Sequence, residues 1–189
     1  MKNIAIFASG NGTNCEAIIR HFSHSTDVKV ALVVTNNAKA KVIERADNWQ
    51  VPVKILSRNE INTEQVVLPL LRSYDVTLIV LAGFMLFIPG FLITAYPQRI
   101  VNIHPSLLPK YGGKGMYGQH VHEAVKANQE KESGITIHFV NGEYDAGEHI
   151  AQFATALSET DSAEDIASKV HALEYAHYPT VIEKLLEEL

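Results

Sequence analysis

The sequence predicts an α/β protein built on a single doubly wound, mostly parallel sheet with an antiparallel strand at one edge. Short runs rich in β-branched residues alternate with segments of helical periodicity through the first half of the chain. One of these runs, Val76 to Ala82, is apolar almost throughout. Such a run is typical of a central strand that is covered on both faces.

The alternation sets the order of the elements. The predicted strands are Asn3 to Ala8, Val28 to Thr35, Val53 to Leu56, Val76 to Ala82 and Ile100 to His104. The helix candidates between them begin near Asn14, Ala40, Asn62 and Pro89. Because this spacing leaves little room for hairpins, these strands are expected to run parallel.

The pattern changes after the fifth strand. A glycine-rich stretch from Gly112 to Gly118, extending to Gln119 and interpreted as a lid, precedes a helix at about 120–129. Two further strands, Gly134 to Val140 and His149 to Ala156, are expected to pair antiparallel at one edge.

A capping pattern predicts a helix at the end of the chain. Ser162 is followed three residues later by Asp165, as at many helix starts. Pro179 is expected to kink or break this helix. The predicted apolar face consists of Ile166, Val170, Leu173 and Ala176 or His177.

Composition limits the class of protein. A chain of 189 residues with 47% hydrophobic content can bury one core, so residues 1–189 are interpreted as one domain. The net charge of −5 and the sparse Lys and Arg argue against a nucleic-acid surface and favour small-molecule partners. With Cys15 as the only cysteine and no leader or membrane-span pattern, a cytoplasmic protein is expected. The oligomeric state stays open.

A glycine turn follows the first strand. Ser9-Gly10-Asn11-Gly12-Thr13-Asn14 lies where a doubly wound sheet brings backbone N–H groups and a helix N-terminus to an anion. The P-loop lysine and the third glycine of a dinucleotide fingerprint are both missing, which disfavours a nicotinamide cofactor. Phosphate binding and an ordinary tight turn are equally good interpretations of this motif.

Asn102 and His104 are the first catalytic candidates. Period-2 alternation places both on one face at the carboxyl end of the fifth strand, where open α/β sheets bind ligands. An amide N–H and an imidazole suit a tetrahedral oxyanion, and therefore acyl transfer. A lone strand-end histidine is, however, more often an ordinary hydrogen-bonded residue.

Other chemistries fit this segment less well. Ser106 lacks the G-x-S-x-G elbow of a serine hydrolase and is interpreted as structural. A zinc site would need His104, His120 and His122, but His120 and His122 diverge on a helix start, so no metal is expected.

Asp145 is the third catalytic candidate. It lies in a polar loop between the last two strands, flanked by Ala146 and Gly147, which would let it approach a ligand or His104. A carboxylate beside an imidazole favours the charged ring. Considered alone, the residue is better explained by an Asx turn.

Four segments together resemble the folate-dependent formyltransferases, and among them the family that formylates glycinamide ribonucleotide in purine synthesis. The segments are GNGTN, VLAGFM (Val80 to Met85), NIHPSLLPKY (Asn102 to Tyr111) and the HFV to YDAG loop, in the same order along nearly the whole chain. The related methionyl-tRNA formyltransferases and formyltetrahydrofolate hydrolases resemble the chain only over their catalytic part.

The resemblance implies roles for individual residues. Asn102, His104 and Asp145 would be catalytic, with the substrate amine attacking the formyl carbon of 10-formyltetrahydrofolate and no metal involved. The substrate, a phosphorylated ribosyl amine, would be bound by Gly12, Thr13, Asn14 and, at its ribose, Glu174. The pterin slot would be formed by backbone around Met85, Leu86, Phe87 and Ile88 and by the loop from Val140 and Asn141 to Asp145.

Two residues depart from the family pattern. Leu86 stands where many members have arginine, and His171 where glutamine is common. Three rival functions stay open at this point: a hydrolase that releases formate from the same folate, a non-enzymatic module that binds a phosphate ligand, and, more remotely, a dehydrogenase.

Overall fold

The computed structural model describes residues 1–189. Seven strands form one sheet in the order β3-β2-β1-β4-β5-β6-β7. The strands are β1 (Lys2–Phe7), β2 (Val28–Thr35), β3 (Val53–Ile55), β4 (Val76–Leu81), β5 (Ile100–His104), β6 (Glu132–Phe139) and β7 (His149–Ala156). The helices are α1 (Thr13–Phe22), α2 (Val42–Asn48), α3 (Arg58–Ile61), α4 (Glu64–Ser73), α5 (Gly90–Ala95), α6 (Gln119–Ala127) and α7 (Ala163–Glu188).

This architecture confirms the predicted fold class. The sheet is mostly parallel, has helices on both sides and carries one antiparallel strand, β7, at its edge. Residue contacts divide the chain into two compact units, the first comprising Met1–Val101 with Leu186–Leu189 and the second Asn102–Leu185. The interpretation of residues 1–189 as one domain stays a prediction.

The first unit is built around β1. This strand pairs in parallel with β2 on one side and β4 on the other, and β2 pairs in parallel with β3. Ile4, Ile6 and Phe7 have no exposed surface, because β1 is covered by neighbours in every direction. The helix predicted near Asn62 is two helices, α3 and α4, and a capping box between Ser57 and Glu60 starts the first.

The second unit contains the antiparallel pair of β6 and β7. Gly134 of β6 faces Ala154 in the register of the pair. A Cβ atom at Gly134 would lie 2.1 Å from the carbonyl oxygen of Phe153 and 2.7 Å from Cδ2 of Leu107. The close approach of β7 therefore requires glycine at this position.

Helix α7 starts as predicted and then differs from the prediction. The Ser162 hydroxyl accepts from Asp165 N at 3.1 Å, and Asp165 Oδ2 accepts from Ser162 N at 2.9 Å. The helix continues through Pro179 to Glu188, so the predicted break is wrong. Tyr178 and Ile182, buried on either side of this proline, stabilise the helix against the lost hydrogen bond.

The buried face of α7 also differs from the predicted one. Ile166 and Val170 are buried as predicted, but the buried positions that follow are Glu174 and Tyr178, while Leu173 and His177 are only partly buried and Ala176 is exposed. The observed residues lie four apart, so they follow one stripe of an α-helix. The prediction failed because it did not allow a carboxylate at a core position.

Gly134→Ala should destabilise the protein by about 2 kcal/mol or more, because the added methyl group overlaps backbone that cannot move without separating the strands. The midpoint of urea unfolding measures this change. Gly142→Ala is the matched control, since a Cβ there meets nothing within 4 Å. Equal midpoints for the two variants would contradict the close approach of β7.

Candidate functional site

The three catalytic candidates all lie in the second unit. Asn102 and His104 end β5, and Asp145 lies in the loop between β6 and β7. Nδ1 of His104 is 3.5 Å from Oδ2 of Asp145, and the His104 ring is almost completely buried. The imidazole and the carboxylate are therefore adjacent, as the proposed chemistry requires.

His104 has a second partner that fixes its tautomer. Its Nε2–H donates to the backbone carbonyl of Tyr111 at 2.7 Å. Because a carbonyl oxygen can only accept, Nε2 must carry a hydrogen, and Nδ1 is the nitrogen that gains or loses a proton beside Asp145. Tyr111 has a φ of 57°, an uncommon value for a residue other than glycine, and this turn brings its carbonyl to the ring.

A second histidine, His138 of β6, joins the cluster. Its Nε2 lies 3.2 Å from Nδ2 of Asn102 and 3.7 Å from Oδ1 of Asp145, and its Nδ1–H donates to the Phe139 carbonyl at 2.8 Å. In neutral His138, Nε2 is thus an acceptor, so it holds the amide nitrogen of Asn102. The second N–H of that amide is then available for a ligand oxygen.

Asp145 is held by the backbone as well as by the imidazoles. The Gly113 N–H donates to its Oδ2 at 3.0 Å. The Asx turn of this loop is made by Asn141, whose Oδ1 accepts from Glu143 N at 2.9 Å and whose Nδ2 donates to the Ala146 carbonyl at 3.1 Å. The turn that could have accounted for Asp145 is therefore made by another residue.

Burial and neighbouring charges have opposing effects on the pKa values of His104 and Asp145. Burial lowers the pKa of His104 below its ordinary value, and the Asp145 charge and the Tyr111 carbonyl oppose this effect without overcoming it. We expected Asp145 to favour the charged ring; it does so, but desolvation is the larger effect. For Asp145, burial raises the pKa, whereas the neighbouring imidazoles of His138 and His104 and the Gly113 N–H lower it, and the result lies below the ordinary value.

The segment after β5 is fixed by hydrogen bonds within the second unit. The Thr136 hydroxyl donates to the Ser106 carbonyl at 2.7 Å and accepts from Leu108 N at 3.0 Å and from Gln152 Nε2 at 2.9 Å. The Ser106 hydroxyl donates to the Lys110 carbonyl at 2.6 Å and is buried. Ser106 thus has the structural contacts expected of it, and the segment that follows His104 is held in place.

Glu174, the candidate for ribose binding, belongs to the same unit. Its carboxylate is buried, and its charge raises the pKa of His104. Nδ1–H of His171 donates to Oε2 of Glu174 at 2.9 Å. The carboxylate and the His104 imidazole are therefore within electrostatic range of each other.

The predicted phosphate turn lies in the first unit. Gly12 has a φ of 76° and precedes α1, which begins with Thr13 and Asn14. A Cβ atom at Gly12 would lie 2.6 Å from Cβ of Val42, and the Val42 N–H donates to the Gly10 carbonyl at 3.1 Å. Glycine is thus required by both the left-handed conformation and the close approach of α2.

The predicted pterin segment is also in the first unit, next to this turn. The N–H of Met85 donates to Oγ of Ser9 at 2.8 Å. Leu86 and Ile88 are buried, whereas Met85 and Phe87 are exposed by 49% and 40%. The side chains thus alternate between core and surface, and Leu86 occupies a core position.

The sequence did not identify every residue of this cluster. His138 was quoted as part of the HFV segment and was given no role of its own. Tyr111 and Gly113 contribute backbone atoms, which no pattern of side chains reveals. A period-2 count along β6 would have paired Thr136 with His138 on one face, as it paired Asn102 with His104. No group of three or more His, Cys, Asp or Glu side chains is arranged to hold a metal ion. No helix has the length and apolarity needed to span a membrane.

The chain is similar to known proteins over nearly its whole length. The family model described as formyl transferase matches residues 2–182. The chain is 41% identical over 191 residues to phosphoribosylglycinamide formyltransferase of Bacillus subtilis (strain 168), covering 98% of this chain and 95% of that protein.

Solved structures give the same result. The fold is similar to crystal structures of phosphoribosylglycinamide formyltransferase from Anaplasma phagocytophilum and from Bacillus halodurans. For the first, the TM-score is 0.89 at 33% identity, covering 99% of this chain and 88% of that one. For the second, the TM-score is 0.86 at 38% identity, covering 98% and 95%.

Gly12→Ala should destabilise the protein by about 2–4 kcal/mol, because a left-handed conformation disfavours alanine and the methyl group overlaps Val42. Thermal or urea unfolding measures the loss. Gly10→Ala, where a Cβ meets nothing within 4 Å, should change stability by less than about 0.5 kcal/mol.

Asp145→Asn should lower the pKa of His104 further, because it removes the largest of the effects that oppose burial. The pKa is measured from the imidazole resonances by NMR titration. Glu143→Gln removes an exposed carboxylate from the same loop and should leave that resonance unchanged. A rise in the His104 pKa in Asp145→Asn would refute this assignment of charges.

Proposed function

The chain belongs to the formyl transferase family, and from this premise we propose that it transfers a formyl group from 10-formyltetrahydrofolate to the amine of glycinamide ribonucleotide in purine synthesis. The observation that carries the proposal is the cluster in which Asp145 contacts His104 and His138, while His138 holds the Asn102 amide. These groups meet the requirements of acyl transfer.

In the proposed reaction the formyl group passes directly from folate to the amine, through a tetrahedral intermediate and without a covalent bond to the enzyme. The amine attacks the formyl carbon, a C–N bond forms, and the carbonyl π electrons move to oxygen. The free N–H of Asn102 donates to this oxyanion. A protonated His104 stabilises it through its Nε2–H, which exchanges the Tyr111 carbonyl for the oxyanion when the ligand is bound. The amine proton passes through water held by Asp145 to the folate nitrogen, and the bond between that nitrogen and the formyl carbon breaks as the carbonyl reforms.

The state of His104 fits this sequence of events. Burial lowers the pKa of His104, which favours the neutral ring before substrate binds. Negative charge that develops beside the ring favours its protonation, so the imidazolium forms when it is needed and Asp145 stabilises it. His104 is proposed as the proton-dependent stabiliser and Asp145 as its partner.

We propose binding roles for the remaining candidates. Gly12, Thr13 and Asn14 would bind the substrate phosphate, since N–H groups at the start of α1 attract anions. Glu174 would accept from the ribose hydroxyls. The pterin ring would be bound by backbone of the segment Met85, Leu86, Phe87 and Ile88, together with Val140 and Asn141.

We propose that the reaction needs no metal and takes place in the cytoplasm. The two ring nitrogens of His104 face a carbonyl and a carboxylate within the protein, which suits proton chemistry. Cys15 is buried, and burial raises the pKa of its thiol to about 12, which fits an unreactive structural residue. Turnover that is unchanged by EDTA, and cell fractionation, test these two statements.

His104→Ala and Asn102→Ala should each lower kcat by about 10² or more, the scale of a lost oxyanion donor. The assay follows tetrahydrofolate formation spectroscopically with purified protein, 10-formyltetrahydrofolate and glycinamide ribonucleotide. His24→Ala and Asn128→Ala remove the same side-chain types from exposed positions and should retain wild-type turnover.

Formate release, measured with and without the amine substrate, separates transfer from hydrolysis. Formate production that does not depend on the amine would identify a hydrolase. Wild-type turnover in His104→Ala would refute the mechanism.

A further inference from the structure

Glu174 is a carboxylate at a core position of α7. It occupies the buried stripe between Val170 and Tyr178 and is only 5% exposed. A buried carboxylate is costly unless partners stabilise its charge. Its presence in an otherwise apolar stripe therefore indicates that the position of this carboxylate matters.

His171 supplies one such partner from the preceding turn of the same helix. Its Nδ1–H donates to Oε2 of Glu174 at 2.9 Å, and its own side chain is 47% exposed. The hydrogen bond to Glu174 raises the pKa of His171, so the charged imidazole is favoured and the bond is charge-assisted. Spacing of three residues on a helix brings the two side chains together.

The charge of the same carboxylate also acts on histidines of two other elements. The Glu174 charge acts on His104 of β5 and on His122 of α6, and in each case it opposes the effect of burial on the histidine pKa. The His122 ring is buried, with its centroid 6.1 Å from that of His171. The hydrogen bond of His171 to Glu174 is 2.9 Å long, and the His171 side chain is the more exposed partner, at 47% against 6%.

We propose that His171 is a positioning residue, which fixes the orientation of the Glu174 carboxylate so that it accepts from the hydroxyl groups of the substrate sugar. The inference deepens the proposed function and rests on it. A glutamate side chain has three rotatable torsions, and a donor that holds Oε2 removes much of that freedom before the ligand arrives. Because the sugar is remote from the reacting carbonyl, the benefit should appear in substrate binding and not in the chemical step.

The test compares two substitutions of His171. His171→Leu removes the donor and should raise KM for glycinamide ribonucleotide about tenfold, the loss expected for one hydrogen bond to a charged group. The values of kcat and of KM for 10-formyltetrahydrofolate should stay within about twofold. His171→Gln keeps an N–H donor and should recover most of the lost affinity.

The matched control is the pair of His120 and Glu123 on α6. It has the same i, i+3 spacing at 3.7 Å, but both side chains are about 60% exposed, at 61% and 59%. His120→Leu should leave both KM values unchanged, because an exposed pair contributes little. Circular dichroism and thermal unfolding show that each variant is folded.

Each result has a defined meaning. An unchanged KM for the amine substrate in His171→Leu, with an active wild type, overturns the role of His171 and leaves the proposed function intact. Equal increases in both KM values, accompanied by a lower Tm, would assign His171 a structural role instead and also overturn the inference. A wild-type protein that forms no tetrahydrofolate overturns the proposed function, and this inference with it.

Discussion

The position of the Asp145 carboxylate is the constraint on which the site depends. Burial alone would favour the protonated acid, but two imidazoles and the Gly113 N–H keep its pKa low. The residue adopts a φ of 52°, which is unfavourable for aspartate and which the Asx turn of Asn141 helps to hold. The strained backbone conformation of Asp145 thus places its charged carboxylate beside His104.

The surroundings of the site combine a rigid part with a part held mainly by backbone contacts. Thr136 fixes the segment that follows His104 through buried hydrogen bonds, so the backbone next to the imidazole is held in one conformation. The glycine-rich stretch, in contrast, reaches the site through the Tyr111 carbonyl and the Gly113 N–H. In the proposed mechanism the Tyr111 carbonyl is the contact that His104 exchanges for the oxyanion, at the expense of one hydrogen bond.

Several groups in the second unit have opposing effects on the pKa of His104. Glu174 and Asp145 favour protonation of His104, while burial and the neighbouring His138 disfavour it. The balance leaves an imidazole whose charge responds to a nearby ligand, which is the property that general acid–base chemistry needs. Glu174 makes the smallest of these contributions, from a core position of α7 where an apolar residue would have packed more easily.

The sequence by itself determined the sheet, the shared face of Asn102 and His104, and the capped start of α7, because each depends on periodicity or on residues a few positions apart. Only the tertiary structure decided that His138 holds the Asn102 amide, that the Tyr111 carbonyl fixes the His104 tautomer, and that Glu174 lies in the core. The contacts of His138 with Asn102 and of Tyr111 with His104 join segments that become neighbours only when the chain folds. Glu174 and the direction of the His104 pKa depend on burial, which a local pattern of residues does not contain.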